Sequence, residues 1–370
     1  MDGKIAAMYE KEMQALKKAG RFRERLLFGK ELVDLASNDY LGLSGKKKQL
    51  KKTFKLVERY DAFSPKASML VNGYHSIHKE FEETLCMLNK FEAGIVAGSG
   101  FLANLSLIES LVRKNDRIFM DEEYHASGMM AAQLLGDRII FFKHNDVEDL
   151  RHKLQRYGRK RNIIAVEGVY SMSGTLCAKG IFDIADENDA LLIVDEAHSS
   201  GVLGNRLLGI FEYYGREIRP HYIKMGTLGK AYGSYGAYIL ASKKIIAFLE
   251  NRAKPIIYST APSIIDTALA LVNIGHIQKK ITKYRMQIDK RHQMVEEVLG
   301  IKSESLIVPI RMRSNHEVIQ AQKALMQKGF LVGAIRQPTV NTPILRLIPR
   351  LGVSEKKLKQ ALQLINKNKI

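Results

Sequence analysis

The chain reads as an α/β protein: a large domain with a mostly parallel sheet flanked by helices, then a smaller C-terminal α+β domain. Three observations predict this. From about Phe81 onward, apolar strand-like runs alternate with helix-like runs, the pattern of a sheet covered on both faces. Four apolar runs, NIIAVEGVYS, ALLIVDEAHS, YIKMGTLG and YGAYILAS, carry their polar residues at their C-terminal ends, where open α/β sheets bind ligands. Beyond a long helical stretch the rhythm changes to short strands and helices.

Each element follows from its pattern. MDGKIAAMYEKEMQALKKAG is an amphipathic helix of mixed charge, and ELVDLASNDYLGLSG a short strand feeding a loop. Then come a helix in KEFEETLCMLNKF, a strand in GIVAGSG, a helix in FLANLSLIESLV, a strand in RIFMD, a further helix and a strand in RIIFFKHND. Helical sequence runs from roughly Ile264 to Leu299, and LIVPIRMR, EVIQAQKALMQKG, ILRLIPR and EKKLKQALQLINK form the small domain. The expected division is a lead-in over 1–45, a large domain over 46–275 and a small one over 276–370, with the boundary near Gly275.

Composition narrows the class. At 370 residues, with 46% hydrophobic and 26% charged residues, the chain can bury a sizeable core and is neither disordered nor collagen-like. Its net charge of +19, from 58 basic and 39 acidic residues, is dispersed. Lys46 to Lys48, Lys51 and Lys52 form the densest run, with Arg156, Arg159, Lys160 and Arg161 next. Neither has the interleaved aromatics of a nucleic-acid platform, so a solvated basic surface is expected, with attraction of a polyanionic thioester as a secondary benefit. Cys86 and Cys177 are too few for a disulfide framework and not spaced as metal ligands, which suits a reducing cytoplasm. The N-terminus lacks the apolar centre of a signal peptide, and no run approaches a membrane span.

The chemistry lies at the strand ends. LLIVDEAHSSG holds Asp195 and His198, and KMGTLGKAYG holds Thr227 and Lys230. Pyridoxal phosphate chemistry needs such a pair: a lysine that forms a Schiff base, and a carboxylate that keeps the pyridine nitrogen protonated so that the ring withdraws electrons. Taken singly, the aspartate reads equally as a helix cap and the lysine as a solvated turn residue. In GIVAGSGFLAN a strand runs through Gly98, Ser99 and Gly100 into a helix whose first amides suit a phosphate, although an ordinary strand-to-helix turn looks the same. Thr227 offers a hydroxyl to that phosphate or to a turn. His125 in DEEYHASG suits stacking on a pyridine ring or an ordinary structural role, His198 and Ser171 suit hydrogen bonds to its phenolic oxygen, and Glu167 supports this network or serves structure alone.

Together these stretches, in this order, resemble the α-oxoamine synthase family of fold-type I pyridoxal-phosphate enzymes, from NDYLGLSG to ILRL. The resemblance implies that Lys230 is the Schiff-base lysine, Asp195 the partner of the pyridine nitrogen and His125 the stacking histidine. It implies phenolic-oxygen contacts from His198 and Ser171, and phosphate contacts from Gly100, Phe101 and Thr227. Thr260 in IIYSTAPS matches the phosphate contact contributed by a second subunit, which implies a homodimer with shared active sites. Arg346 in ILRLIPR matches the arginine that clasps the amino-acid carboxylate, a task suited to its planar fork. Asn38 and Thr339 match residues near the substrate, as does Arg23, with Arg21 the neighbouring alternative.

Members of the family condense an amino acid with an acyl thioester. Within it, GAIRQPTV is close to the AIRPPTV segment of 8-amino-7-oxononanoate synthases, which implies L-alanine and a pimeloyl thioester of coenzyme A or an acyl carrier protein as substrates. Gln337 stands where those enzymes usually have proline. The alternatives are glycine with acetyl-coenzyme A on the same chemistry, or a noncatalytic basic binding protein on the same fold.

Overall fold

A computed structural model describes residues 2–367. The chain divides into two compact units: residues 38–171 with 175–288, and the N-terminal stretch to Ser37 with 172–174 and the chain from Asp289 onward. The expected boundary near Gly275 falls inside a continuous helix, Ile264–Gln278, and a second helix, Ile281–Leu299, carries the chain across the division. The segment before residue 38 is not a separate lead-in. Its strand β1 (Val33–Leu35) pairs in parallel with β10 (Phe330–Ile335), so backbone hydrogen bonding assigns it to the C-terminal unit.

The larger unit is built on a seven-stranded sheet of β2 (Ala93–Ala97), β3 (Arg117–Asp121), β4 (Ile139–Phe142), β5 (Asn162–Glu167), β6 (Leu191–Asp195), β7 (Tyr222–Thr227) and β8 (Ala237–Ala241). The spatial order is β2-β8-β7-β6-β5-β3-β4, and all pairs are parallel except those made by β8. Successive side chains point to opposite faces. Ile163, Ile193, Ile223 and Ile239 join one buried cluster, while Ile164, Leu192, Tyr222 and Tyr238 are buried from the other side. Burial on both faces explains why these strands are unbroken apolar runs. Each fully buried aliphatic side chain contributes about 1.5–3 kcal/mol.

In the smaller unit, β1, β10, β11 (Ile344–Leu347) and β9 (Val308–Arg311) lie in the order β1-β10-β11-β9. Their apolar face packs with the helices Asn315–Gln327 and Glu355–Lys367 around Leu35, Val332, Leu345 and Leu358. Among the described residues, no helix is long and apolar enough to cross a membrane.

In the larger unit one buried carboxylate fastens the helix Ser76–Asn89 to β2: Glu82 accepts the Val96 amide at 2.9 Å and the Tyr74 hydroxyl. Burial pushes Glu82 up to about 7; its two hydrogen bonds oppose this and Glu250 and Glu83 add to it. The folded protein therefore holds a proton that the unfolded chain releases near pH 4.5, so this contribution is complete below that pH and fades as pH rises through 7. We expect Glu82→Gln to narrow the loss of stability between these limits by about 3 kcal/mol. Urea unfolding of both proteins at several pH values measures it, and parallel pH profiles would refute it.

Candidate active site

The parallel register gathers chemistry at one edge of the large sheet. Glu167, last residue of β5, is the cross-strand partner of Asp195, last residue of β6, and Asp195 is that of Met225 in β7. Beyond β7 the chain turns through Leu228–Gly236, closed by the Leu228 amide on the Gly236 carbonyl at 2.9 Å, and presents Lys230. Lys230 Nζ lies 2.8 Å from His198 Nε2, and His198 Nδ1 lies 2.6 Å from the Tyr40 hydroxyl. Three segments far apart in sequence thus meet in one hydrogen-bonded chain.

Asp195 is buried and doubly held. Its Oδ2 accepts from Asn104 Nδ2 at 2.9 Å, and its Oδ1 accepts from the Ala197 amide at 2.9 Å. Asn104 also donates to Ser127 Oγ at 2.9 Å and accepts from the Tyr124 hydroxyl at 2.7 Å. All of its side-chain polar atoms are engaged, so the carboxylate it touches is fixed in direction.

His125 caps the helix Ala126–Gln133, with its Nδ1 at 2.7 Å from Ser127 Oγ and 3.2 Å from the Ser127 amide. Burial lowers its proton affinity and Lys230 lowers it further, outweighing the pull of Asp195. The ring is therefore biased toward its neutral form. Glu167 shows the opposite bias: burial first, then the Asp195 charge, raise its pKa well above the carboxylate range. One oxygen accepts from the Ser171 amide at 3.0 Å and the other, Oε1, has no partner.

The strand-to-helix turn at Gly98–Gly100 has the form of an anion cradle. Ser99 caps the helix Gly100–Leu111 by accepting from the Leu102 amide at 3.2 Å, leaving the helix N-terminus facing the turn. A Cβ on Gly100 would stand 2.7 Å from Thr227 Cγ2, so the close approach of these two residues requires glycine. Thr227 Oγ1 is buried without a partner. Phe101 projects outward, 44% exposed, so its backbone rather than its ring is available to an anion. An orphaned hydroxyl beside a helix N-terminus fits a bound phosphate group, and the nearby lysine and carboxylate fit a ring bearing an aldehyde and a basic nitrogen.

The other expected residues divide between the two units. Asn38 lies in the larger unit, with its Oδ1 3.5 Å from the Tyr40 hydroxyl. Thr260 is exposed just before the helix Ile264–Gln278. In the smaller unit, Arg23 Nη2 donates to Thr339 Oγ1 at 3.0 Å, bringing together two expected substrate residues 316 positions apart. Arg21 is exposed. Arg346 is buried in β11.

Residues 30–365 match the family described as aminotransferase class I and II. The chain belongs to that family. Among curated relatives, an 8-amino-7-oxononanoate synthase of Helicobacter pylori strain J99 is 45% identical over 92% of this chain and 92% of its own length. The enzyme of a second strain is 45% identical over 98% of both chains. Among solved structures of this class I and II fold, the 8-amino-7-oxononanoate synthase of Francisella tularensis superposes with a TM-score of 0.76 at 26% identity, covering 91% of this chain and 97% of that one. Sphingomonas wittichii serine palmitoyltransferase, at 22% identity, shares the fold with a TM-score of 0.88 over 99% of this chain and 97% of its own.

Asn104, Tyr40, Tyr124 and Ser127 escaped the sequence reading. Asn104 lies one helical turn after Gly100 in AGSGFLAN, and Tyr40 inside NDYLG, so both were within recognised stretches; their partners, 91 and 158 positions away, were not visible there. Gly100→Ala is expected to weaken binding of a phosphorylated cofactor about tenfold or more, since the new methyl must displace Thr227. Spectroscopic titration of the apoprotein with pyridoxal phosphate tests this, and unchanged affinity would show that the cradle does not hold the phosphate.

Proposed function

We propose that this chain is a pyridoxal-phosphate-dependent acyltransferase that condenses L-alanine with a pimeloyl thioester, releasing 8-amino-7-oxononanoate, carbon dioxide and the free thiol for biotin synthesis. One observation carries the reading: Lys230 and the clamped Asp195 share a sheet edge with the glycine cradle, in a chain 45% identical to 8-amino-7-oxononanoate synthases over nearly its full length.

Lys230 would be the covalent anchor, and Gly100, Phe101 and Thr227 would hold the phosphate. When bound, the cofactor supplies an electron-withdrawing ring that stabilises negative charge at the α-carbon of the amino acid. Asp195, oriented by Asn104 and the Ala197 amide, would keep the ring nitrogen protonated. His125, biased toward its neutral form, would stack on the ring, and His198 and Ser171 would serve its phenolic oxygen.

Lys230 also takes the α-proton of alanine at Nζ, with His198 in hydrogen-bond contact to steady that nitrogen. Arg346 binds the amino-acid carboxylate, and Asn38, Arg23 and Thr339 contact substrate, with Arg21 the alternative to Arg23. The active form is a cytoplasmic homodimer in which Thr260 of each copy completes the phosphate site of the other.

Free-thiol release from pimeloyl-coenzyme A, compared with L-alanine, with glycine and with no amino acid, tests the assignment. Alanine-dependent release is expected, and Lys230→Ala should reduce it by at least about 10⁴-fold while removing the bound-cofactor absorbance. Release driven only by glycine would move the reading to another acyl transfer, and a normally coloured, active Lys230→Ala protein would sink it.

A further inference from the structure

One polar cluster at the same sheet edge has no part in this chemistry. The turn after β4 closes with the Asp146 amide on the Lys143 carbonyl at 3.0 Å, and Asn145 within it adopts φ +55°, a left-handed conformation that asparagine tolerates. Asn145 Nδ2 donates to the Leu176 carbonyl at 2.8 Å and its Oδ1 accepts from the Ala178 amide at 2.9 Å, so one side chain holds the outgoing arm of the hairpin that begins at Gly168. Its neighbour His144 is partly buried and joins two distant segments. Nδ1 lies 3.1 Å from Asp121 Oδ1 at the end of β3, and Nε2 lies 2.9 Å from Thr175 Oγ1.

Asp121 is the fixed point of this cluster. It is fully buried; its Oδ2 accepts from the Tyr170 hydroxyl at 2.7 Å and the Asn145 amide at 2.9 Å, and its Oδ1 from the Glu123 amide at 2.8 Å. The rings of His144 and Tyr170 meet edge to face, with centroids 4.3 Å apart. Across the hairpin, the Tyr170 amide donates to the Thr175 carbonyl at 2.9 Å and the Cys177 amide to the Gly168 carbonyl at 3.1 Å. His144 and Asp121 thus grip both members of the Tyr170–Thr175 pair. Ser171 is the next residue along the chain, with its amide on Glu167.

The bridge survives a change of protonation. Nδ1 faces a carboxyl group whose oxygens both accept from other donors, so Nδ1 carries a proton. Nε2 then accepts the Thr175 O–H when the ring is neutral and donates to the same oxygen when it is charged, because a hydroxyl can turn. Burial opposes the charged ring, but the Asp121 hydrogen bond and charge, then the charges of Glu123 and Glu122, outweigh it and raise the His144 pKa. Thr175 is held in either state.

We propose that His144 is a positioning residue: by tying Thr175 to Asp121 it fixes the Tyr170–Thr175 pair, and with it the direction in which the Ser171 hydroxyl meets the phenolic oxygen of the cofactor. The proposal rests on the role given to Ser171 above and names what sets it. A hydrogen bond donated by Ser171 draws charge from that oxygen and makes it a weaker acceptor for a proton on the neighbouring Lys230 nitrogen. Losing the bond therefore raises the pH at which the absorbance of the bound cofactor changes. Hydrogen bonds weaken steeply with misalignment, so a loosened hairpin acts in the same direction as removal of the hydroxyl.

The absorbance of the holoenzyme is titrated against pH for the wild type, Ser171→Ala, Thr175→Val, His144→Asn and His144→Gln. Thr175→Val removes the bridging hydroxyl and leaves the ring and its charge in place. Asparagine reaches Asp121 from the Nδ1 position but not Thr175, whereas glutamine reaches Thr175 from the Nε2 position. Ser171→Ala should raise the midpoint by about one pH unit, Thr175→Val and His144→Asn by about half a unit, and His144→Gln by less than either. Ser171→Ala/Thr175→Val should match Ser171→Ala alone, because the bridge acts only through that hydroxyl. If His144→Asn does not fold, Thr175→Val and the double variant decide. Additive shifts in the double variant, or an unmoved midpoint in Thr175→Val beside a raised one in Ser171→Ala, would overturn the proposal and leave the role of Ser171 standing. An unmoved midpoint in Ser171→Ala removes that role and the proposal with it, and a wild type without bound-cofactor absorbance sinks the acyl-transfer reading and both.

Discussion

Two carboxylates, Glu167 and Asp195, end adjacent parallel strands as cross-strand partners at the edge of a sheet closed to water. Two neighbouring buried negative charges are too costly to keep, so the environment separates them. Asp195 receives Asn104 and the Ala197 amide, both donors to a charged carboxylate. Glu167 receives only the Ser171 amide, with its other oxygen unpartnered, and is pushed toward its neutral form. The same strand pairing that builds the sheet thus places the Asp195 carboxylate where it pushes Glu167 toward its neutral form. A Glu167 biased toward its neutral form adds little repulsion to the Asp195 carboxylate that Asn104 and the Ala197 amide hold.

A second buried charge sits behind the first. Lys224 and Glu196 are 3.4 Å apart and almost wholly enclosed, and burial lowers the Lys224 pKa against the pull of Glu196. Glu196 also accepts from Ser199 Oγ at 2.5 Å and from the Ile210 amide at 2.7 Å, so it gathers the loop that follows His198. Gly209 adopts φ +104°, and a Cβ there would stand 1.8 Å from a Glu196 oxygen. Removing one partner of such a pair typically costs about 3–5 kcal/mol, because the other charge stays buried alone. The pair contributes orientation more than net stability: it fixes the turn from which His198 reaches Lys230.

How legible this was in the sequence depended on range. The central strands were visible because parallel strands buried on both faces must be apolar throughout. Their C-terminal ends were legible too, since Asp195, Thr227 and Lys230 interrupt those runs. The reversed direction of β8 was not visible, because a buried antiparallel strand between parallel ones has the same composition. Nor was the place of the N-terminal segment, which rests on pairing between Val33 and Phe330. Asn104 was hidden for the same reason: an asparagine inside an apolar helix declares a partner without naming it. Glu167 was ambiguous from sequence, and only its register with Asp195 shows why its protonation matters.

The N-terminal segment also shows how a distant contact becomes dependable. Arg23 alone would be a long, exposed side chain with much rotamer freedom to lose on ordering. Arg336 reduces that cost by holding the backbone on its near side, donating from Nη1 to the Gly20 carbonyl at 3.1 Å and the Phe22 carbonyl at 3.0 Å. Asn315 adds a bond from Nδ2 to the Ala19 carbonyl at 3.2 Å and accepts the Gln337 amide at 3.0 Å. The segment is thereby fastened to the turn that carries Thr339, and Arg23 meets its hydroxyl with little left to order. Burial lowers the Arg336 pKa and the Arg23 charge adds to this, so two like charges are kept close by backbone hydrogen bonds. The Arg336 grip on the backbone thus positions Arg23 against Thr339.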